Sequence, residues 1–323
     1  MPTETSVFAN DVRPSLTPVG QVDVMTINWH VTEACNYRCQ YCYAHWKDRP
    51  DPRELFHDFG RSRDLLERLL LFFHPENTAN PLRQRLNWKA VRLNIAGGEP
   101  SILNGRLINL AKVARDIGFQ LSIISNGSRL SRDVIERLAP HLTCLGISLD
   151  SANSITNRDI GRIDRQGRLP DIAGLIANLQ IARSINPEIT IKLNTVVNRL
   201  NAHEDLSRLV DQIKPDRWKI LRMLPVTNQS LAVSDHQFSA FVFRHRSYES
   251  IQCVEDHSDM SESYLMVDPF GRFFQNQHLL IGDGYVYSQP ILSVGPEAAF
   301  AELRFNSDSF SSRYTRITVE GVV

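Results

Sequence analysis

Six times along this chain a short apolar run gives way to a helical pattern, and that alternation leaves few folds open. The runs are 24–30 (VMTINWH), 90–96 (AVRLNIA), 120–126 (QLSIISN), 143–150 (TCLGISLD), 190–197 (TIKLNTVV) and 217–224 (RWKILRML). Apolar residues at helical spacing predict helices over 62–73, 106–117, 131–138, 171–185 and 203–213. Strands joined by helical crossovers run parallel, so the expected class is α/β. Six units fall short of a closed eight-unit barrel. A partial (βα)6 barrel results, with a lateral opening for a large ligand. Rows such as LGISL and LNIA read as apolar on both faces, the pattern of buried parallel strands. Ligands in such sheets bind at the C-terminal strand ends. The expected organisation is an N-terminal arm (1–21), the barrel (22–224) and a C-terminal extension (225–323). Within the extension, SYLMVDPFGRFFQN reads as a hairpin turning at Pro269, Phe270 and Gly271.

Composition narrows the partners. Lys+Arg and Asp+Glu are both 36, so the net charge is zero and no basic sheath for nucleic acid is expected. An anionic substrate must be met by local cations. No run approaches the ~20 apolar residues of a membrane span. The N-terminal stretch lacks the charged and apolar regions of a secretory signal. A cytoplasmic location, away from membranes, is the expectation.

Three of the five cysteines, Cys35, Cys39 and Cys42, fall in the run CNYRCQYC. An odd count so clustered is not a disulfide framework. Cys144 sits in an apolar run and reads as a core thiol. Nothing marks Cys253 as a ligand. Thiolates spaced C-x3-C-x2-C can hold three irons of a [4Fe-4S] cube and leave the fourth iron open. The competing reading is a zinc site completed by His45.

After the second strand comes Ala96-Gly97-Gly98-Glu99-Pro100. Together with CNYRCQYC it resembles the paired motifs of the radical S-adenosylmethionine (SAM) superfamily. The resemblance implies a radical SAM barrel that carries a [4Fe-4S] cluster on Cys35, Cys39 and Cys42. It also implies S-adenosyl-L-methionine held by Gly97, Gly98 and Glu99, by Ser125 and Asn126 ending strand three, by Ser148 ending strand four, and by Asn194 on strand five. Asp150 also ends strand four.

The phrases NWHVTEACNYRCQYCYAHW, SIISNGS, ISLDS, IKLNTVVNRLN, DRWKILRML and SYLMVDPFGRF follow the order and spacing of the viperin family over roughly residues 22–300. That resemblance implies a lyase that dehydrates a ribonucleoside triphosphate (CTP, UTP or GTP) to its 3′-deoxy-3′,4′-didehydro form, a chain terminator for viral polymerases. It also implies an electron donor such as flavodoxin or ferredoxin. The strands carry matching cations. Arg92 and Asn94 share one face of strand two, Lys192 and Asn194 one face of strand five, and Arg217 and Lys219 one face of strand six. Inward cations are costly unless they meet an anion, so three such strands point to a polyanion in the barrel. Arg162, after strand four, matches a further triphosphate position of the family. Viperins commonly carry Lys where Arg92 stands. Tyr264, Lys192 and water are candidate proton donors. Arg222 belongs to the opposite strand face.

Two rivals stand beside this reading. A radical SAM enzyme acting on a peptide, or one cyclising GTP, usually carries a second cluster, yet only Cys253 follows residue 150. A non-enzymatic cluster- or zinc-binding regulator has no use for inward cations.

Overall fold

In the computed structural model, which describes residues 20–42, 47–225, 228–276 and 285–315, the first long strand, β1, spans Val24–Thr32. Met25, Ile27, Trp29 and Val31 are fully buried on one side of it. Thr26, Asn28 and His30 alternate with them and line a cavity on the other. The same two-sided pattern recurs in β2 (Ala90–Gly97), β3 (Gln120–Ser125), β4 (Cys144–Ser148), β5 (Thr190–Val197) and β6 (Arg217–Arg222). These six strands pair side by side in chain order, all parallel. The expectation of strands apolar on both faces is therefore corrected. The outer face packs against helices, but the inner face borders a cavity, so Ser122, Ser148 and Asn194 replace the core residues a filled barrel would need.

Helices cover the outer face. In α1 (Phe59–Phe73), Leu65, Leu66, Leu69, Phe72 and Phe73 recur at helical spacing and are buried. The Asp58 side chain caps its first turn, accepting from the Arg61 amide at 3.0 Å. Helices α2 (Gly105–Ile117), α3 (Arg132–Leu138), α4 (Ser154–Ile160) and α5 (Ile172–Ile185) follow β2, β3 and β4. The helix expected over 203–213 forms only as α6 (Ser207–Ile213). Before it, Asn198 and Asn201 side chains accept from the Leu200 and Asn198 amides, at 3.0 and 2.8 Å. Such local bonds compete with the helical ladder. Among the elements missing from the sequence reading are α4 and α7 (Asp235–Arg244). The second carries a capping box between Ser234 and Gln237 that the sequence displays.

Residues after 224 do not form a separate layer. β7 (Gln252–Glu255) adds parallel to β6, and β8 (Leu265–Val267) adds parallel to the far side of β1. β9 (Arg272–Asn276) and β10 (Tyr285–Pro290) then continue the sheet antiparallel. One ten-stranded sheet results, with β7 and β10 at its edges. The boundary expected at 224 thus falls within a continuous sheet, and the six units become eight parallel strands of a partial barrel. The expected hairpin is β8–β9. At its turn Asp268 Oδ1 accepts from the amides of Phe270 and Arg272 at 2.9 and 2.8 Å, and Gly271 sits at φ +77°. The C-terminal helix α8 (Ser307–Thr315) packs against residues 20–21 and 257–260, and its Arg313 donates to Ser263 O at 2.7 Å just before β8.

Candidate active site

The cysteine loop leaves the C-terminal end of β1 and is gripped from two sides. On one side the Gly98 and Glu99 amides donate to Thr32 O and Ala34 O at 2.9 and 2.8 Å. A Cβ on Gly98 would lie 2.0 Å from Ala34 O, so the glycine is required by the chain's own contact with the loop. On the other side the Arg38 and Gln40 amides donate to Gly161 O and Ile160 O, at 3.1 and 2.8 Å, at the end of α4. There a Cβ on Gly161 would meet Arg38 O at 2.1 Å.

Two buried carboxylates brace this mouth. Glu99 accepts from the Ser101 amide (2.9 Å), the Ser125 hydroxyl (2.7 Å) and the Asn126 amide (2.6 Å), tying the end of β2 to the end of β3. Asp150 accepts from the Val196 amide at 2.9 Å and from Arg162 Nη1 at 2.8 Å, and the Tyr41 hydroxyl also donates to it. Arg162 donates in addition to Tyr41 Oη (2.9 Å) and to Ser148 O. Tyr41 lies between Cys39 and Cys42, so this buried ion pair fastens the cysteine loop to β4 and β5. Both partners are almost inaccessible, and Asp150 is stabilised there by the three hydrogen bonds it accepts.

Every residue expected to bind cofactor or substrate, or to carry protons, faces one cavity of about 450 Å³. It brings together Cys35, Cys39 and Cys42, the Gly97–Glu99 edge, Ser125, Asn126, Ser148 and Asn194 around the mouth. Deeper lie Arg92, Asn94, Lys192, Arg217, Lys219 and Tyr264. Asp150 stands behind Arg162 rather than in the lining. Arg162 belongs with the mouth and not with the deeper cations, because its Nη atoms are committed to Asp150, Tyr41 and Ser148. Asn94 is likewise engaged, donating to Asn28 Oδ1 and accepting from Ser122 Oγ, both at 2.8 Å. Arg222 lies at the rim, paired with Asp235 at 2.7 Å and Asp256 at 3.2 Å. His45, the fourth ligand of the zinc reading, lies outside the described residues.

The lining fits both implied cofactors. Burial pushes the Cys35 and Cys39 thiols up to about 12; Glu99 and Cys42 add to the shift at Cys35, and the neighbouring thiols at Cys39. Buried thiols so disposed become thiolates only when a cation takes the place of their protons. Beside them, Asn194 Oδ1 and Arg162 Nε are buried without a hydrogen-bond partner among the described residues. One acceptor and one donor left open at the mouth suit a ligand that carries both an ammonium and a carboxylate.

The deeper part of the cavity has another character. Lys192, Arg92 and Arg217 have no ion pair among the described residues; Arg92 donates only to Gln120 Oε1 at 3.0 Å. Burial pulls the Lys192 ammonium down to about 8, and Lys219 and Arg92 push the same way. Lys219 differs, because Glu255 accepts from it at 2.7 Å and Tyr264 Oη at 2.6 Å. Tyr264 in turn donates to Glu255, and the Arg313 guanidinium stacks 3.7 Å from its ring. Glu255 and Arg313 escaped the sequence reading, as did the bond from Tyr41 to Asp150. For Glu255 a signal existed: in QCVE, alternation puts Cys253 and Glu255 on one strand face, but the segment lay beyond the clear βα pattern.

The family model of the radical SAM superfamily matches residues 29–170. An S-adenosylmethionine-dependent nucleotide dehydratase of Pseudoalteromonas ulvae is 41% identical over 296 residues, covering 92% of this chain and 94% of that protein. One from Psychrobacter lutiphocae is 39% identical over 295 residues, covering 91% and 96%. The chain belongs to the S-adenosylmethionine-dependent nucleotide dehydratase family. Membership in that family brings with it the [4Fe-4S] cluster and SAM as cofactors, matching the cysteine mouth. A more distant family member, the RSAD2 nucleotide dehydratase of Oncorhynchus mykiss, is 28% identical over 307 residues. Among solved structures, native anSMEcpe with bound AdoMet superposes with a TM-score of 0.61 over 90% of this chain and 83% of that one, at 12% identity. That likeness is one of fold, the radical SAM barrel. No helix among the described residues is long and apolar enough to cross a membrane.

Proposed function

We propose that this chain dehydrates a ribonucleoside triphosphate, CTP, UTP or GTP, to its 3′-deoxy-3′,4′-didehydro form. The observation that carries the reading is the set of acid-free cations, Arg92, Lys192 and Arg217, lining the same cavity as the three cysteines. Arg92 and Lys192 are half-buried and Arg217 is exposed; gathering cations around one cavity without counter-ions is unfavourable, and a polyphosphate relieves that. The names of the 41% and 39% identical relatives agree with it.

When bound, the cluster and SAM supply a carbon radical able to take a hydrogen atom from an unactivated C–H bond, here the ribose C4′–H. The protein's residues do the rest. Gly97, Gly98, Ser148 and Asn194 hold the SAM methionine moiety, and Ser125 and Asn126 complete that wall. Arg92, Lys192 and Arg217 hold the phosphates; Lys219, the fourth cation expected there, is paired with Glu255 instead. Loss of the 3′-hydroxyl as water needs a proton, and an ammonium with its pKa near working pH delivers one efficiently. Lys192, drawn to about 8, meets that condition. Tyr264 does so less well: burial, with Glu255 beside it, lifts its hydroxyl to about 12, and its proton already points at Glu255. One further electron, from a donor such as flavodoxin or ferredoxin, completes the balance. The product, lacking a 3′-hydroxyl, terminates polymerase chains, which gives it an antiviral use.

The test is anaerobic incubation of the reconstituted holoenzyme with SAM, dithionite and each ribonucleoside triphosphate in turn. One nucleotide should lose the mass of one water as 5′-deoxyadenosine forms. Equal, uncoupled SAM cleavage with every nucleotide contradicts the proposal.

A further inference from the structure

The cavity is graded in charge along its axis, and one carboxylate sets the grade. Strand register fixes the levels. Arg217 pairs with Lys192, Lys219 pairs with Asn194 and Cys253, and Glu255 pairs with Leu221. At ~3.3 Å per residue, Glu255 stands about 13 Å above the Arg217 level, toward the cysteine mouth. Lys219 reaches up to it, and Arg313 Nε approaches it at 3.5 Å. Two cations and the Tyr264 hydroxyl thus converge on a carboxylate that is 2% exposed. The lower level holds Lys192 and Arg217 with no ion pair among the described residues, although the Glu255 charge is still felt at Lys192.

We infer that Glu255 is a positioning residue that orients the nucleotide: it cancels cationic charge at its own level, excludes phosphate from there, and drives the polyphosphate to the lower level. The sugar is then left on the cysteine side of the lower cations. The inference rests on the nucleotide dehydratase reading above and adds a direction to it. Without the carboxylate, Lys219 and Arg313 would compete with the lower cations for phosphate. A nucleotide so misplaced would bind well and react badly. Glu255 acts through Lys219, Tyr264 and the local field, with no bond to the substrate required.

The test compares wild type with Glu255→Gln and Glu255→Asp as reconstituted holoenzymes, with CTP, UTP and GTP. Inorganic tripolyphosphate is titrated separately as a probe of phosphate affinity. For Glu255→Gln the expected result is kcat reduced about tenfold or more with KM unchanged or lower. More 5′-deoxyadenosine should form per dehydrated nucleotide, and tripolyphosphate should inhibit at about a tenth of the wild-type concentration, one charge-sized change in affinity. Glu255→Asp should restore much of the coupling. Equal loss of nucleotide and tripolyphosphate binding in Glu255→Gln overturns the inference, because Glu255 then merely supports Lys219. Unchanged kcat and coupling overturn it as well. If wild type itself dehydrates none of the nucleotides, the function reading fails instead, and the tripolyphosphate titration still reports on Glu255.

Discussion

The mouth and the floor of this cavity are built on opposite electrostatic plans. At the mouth every acid is satisfied within the protein: Glu99 by Ser125 and two amides, Asp150 by Arg162, Tyr41 and Val196. At the floor Lys192, Arg92 and Arg217 have no acidic partner among the described residues. A satisfied network is rigid and holds a cofactor in one place. Unmatched cations store an electrostatic demand that only a ligand meets. The mouth is therefore preorganised for chemistry, and the floor for binding energy.

Breaking the mouth should have the largest effect. Cys39→Ala removes one of three thiolates, and anaerobically reconstituted protein should lose its brown colour and all SAM cleavage. A variant that keeps iron and turnover would remove the cysteines from the account. The floor comes next. Lys192→Met deletes a charge placed to meet developing negative charge, an effect of ~10²–10³ in kcat/KM. In the wild type, kcat/KM should fall as pH rises through about 8, where Lys192 loses its proton. A flat profile to pH 9 would move the proton elsewhere.

A smaller effect, on stability instead of rate, separates the two plans more cleanly. Asp150→Ala leaves the Arg162 charge buried and unpaired, at a cost of ~3–5 kcal/mol in chemical unfolding. Lys192→Met should leave stability equal or higher, because it removes an unpaired buried charge. Similar losses for both would erase the contrast. The smallest effect is on acid stability. Burial holds His30 at about 4, against 6.5 in the unfolded chain. The unfolded chain takes up a proton that the folded state refuses, so stability is complete above 6.5 and declines from there down to about 4. Between pH 7 and 5 the loss is about 2 kcal/mol, with His245 acting in the same direction. Urea midpoints of wild type and His30→Gln across that range measure it.

The two regions also differ in how much the sequence reveals. Cys35, Cys39, Cys42 and Gly98 are legible because their spacing is local and their chemistry restrictive. The strands were legible within about two residues, since each outer face keeps strict apolar alternation. The floor cations could be placed on strand faces by parity alone. Their partners could not, since Lys219 and Glu255 are joined only by the register of β6 and β7, and Arg162 and Asp150 only by the return of α4 beneath the cysteine loop. Arg313 enters from 50 residues beyond Ser263, a contact that no local pattern carries. The strands after 224 were hidden for the same reason: β7 and β8 are short, and their places in the sheet are set by their neighbours.

The central claim is that the floor holds the phosphates so that the ribose C4′–H faces the cysteine mouth. Turnover of the accepted nucleotide deuterated only at C4′ tests it most directly. The account predicts one deuterium in the 5′-deoxyadenosine formed and a dehydrated nucleotide that has lost its label. Unlabelled 5′-deoxyadenosine beside a product that keeps its deuterium would contradict it.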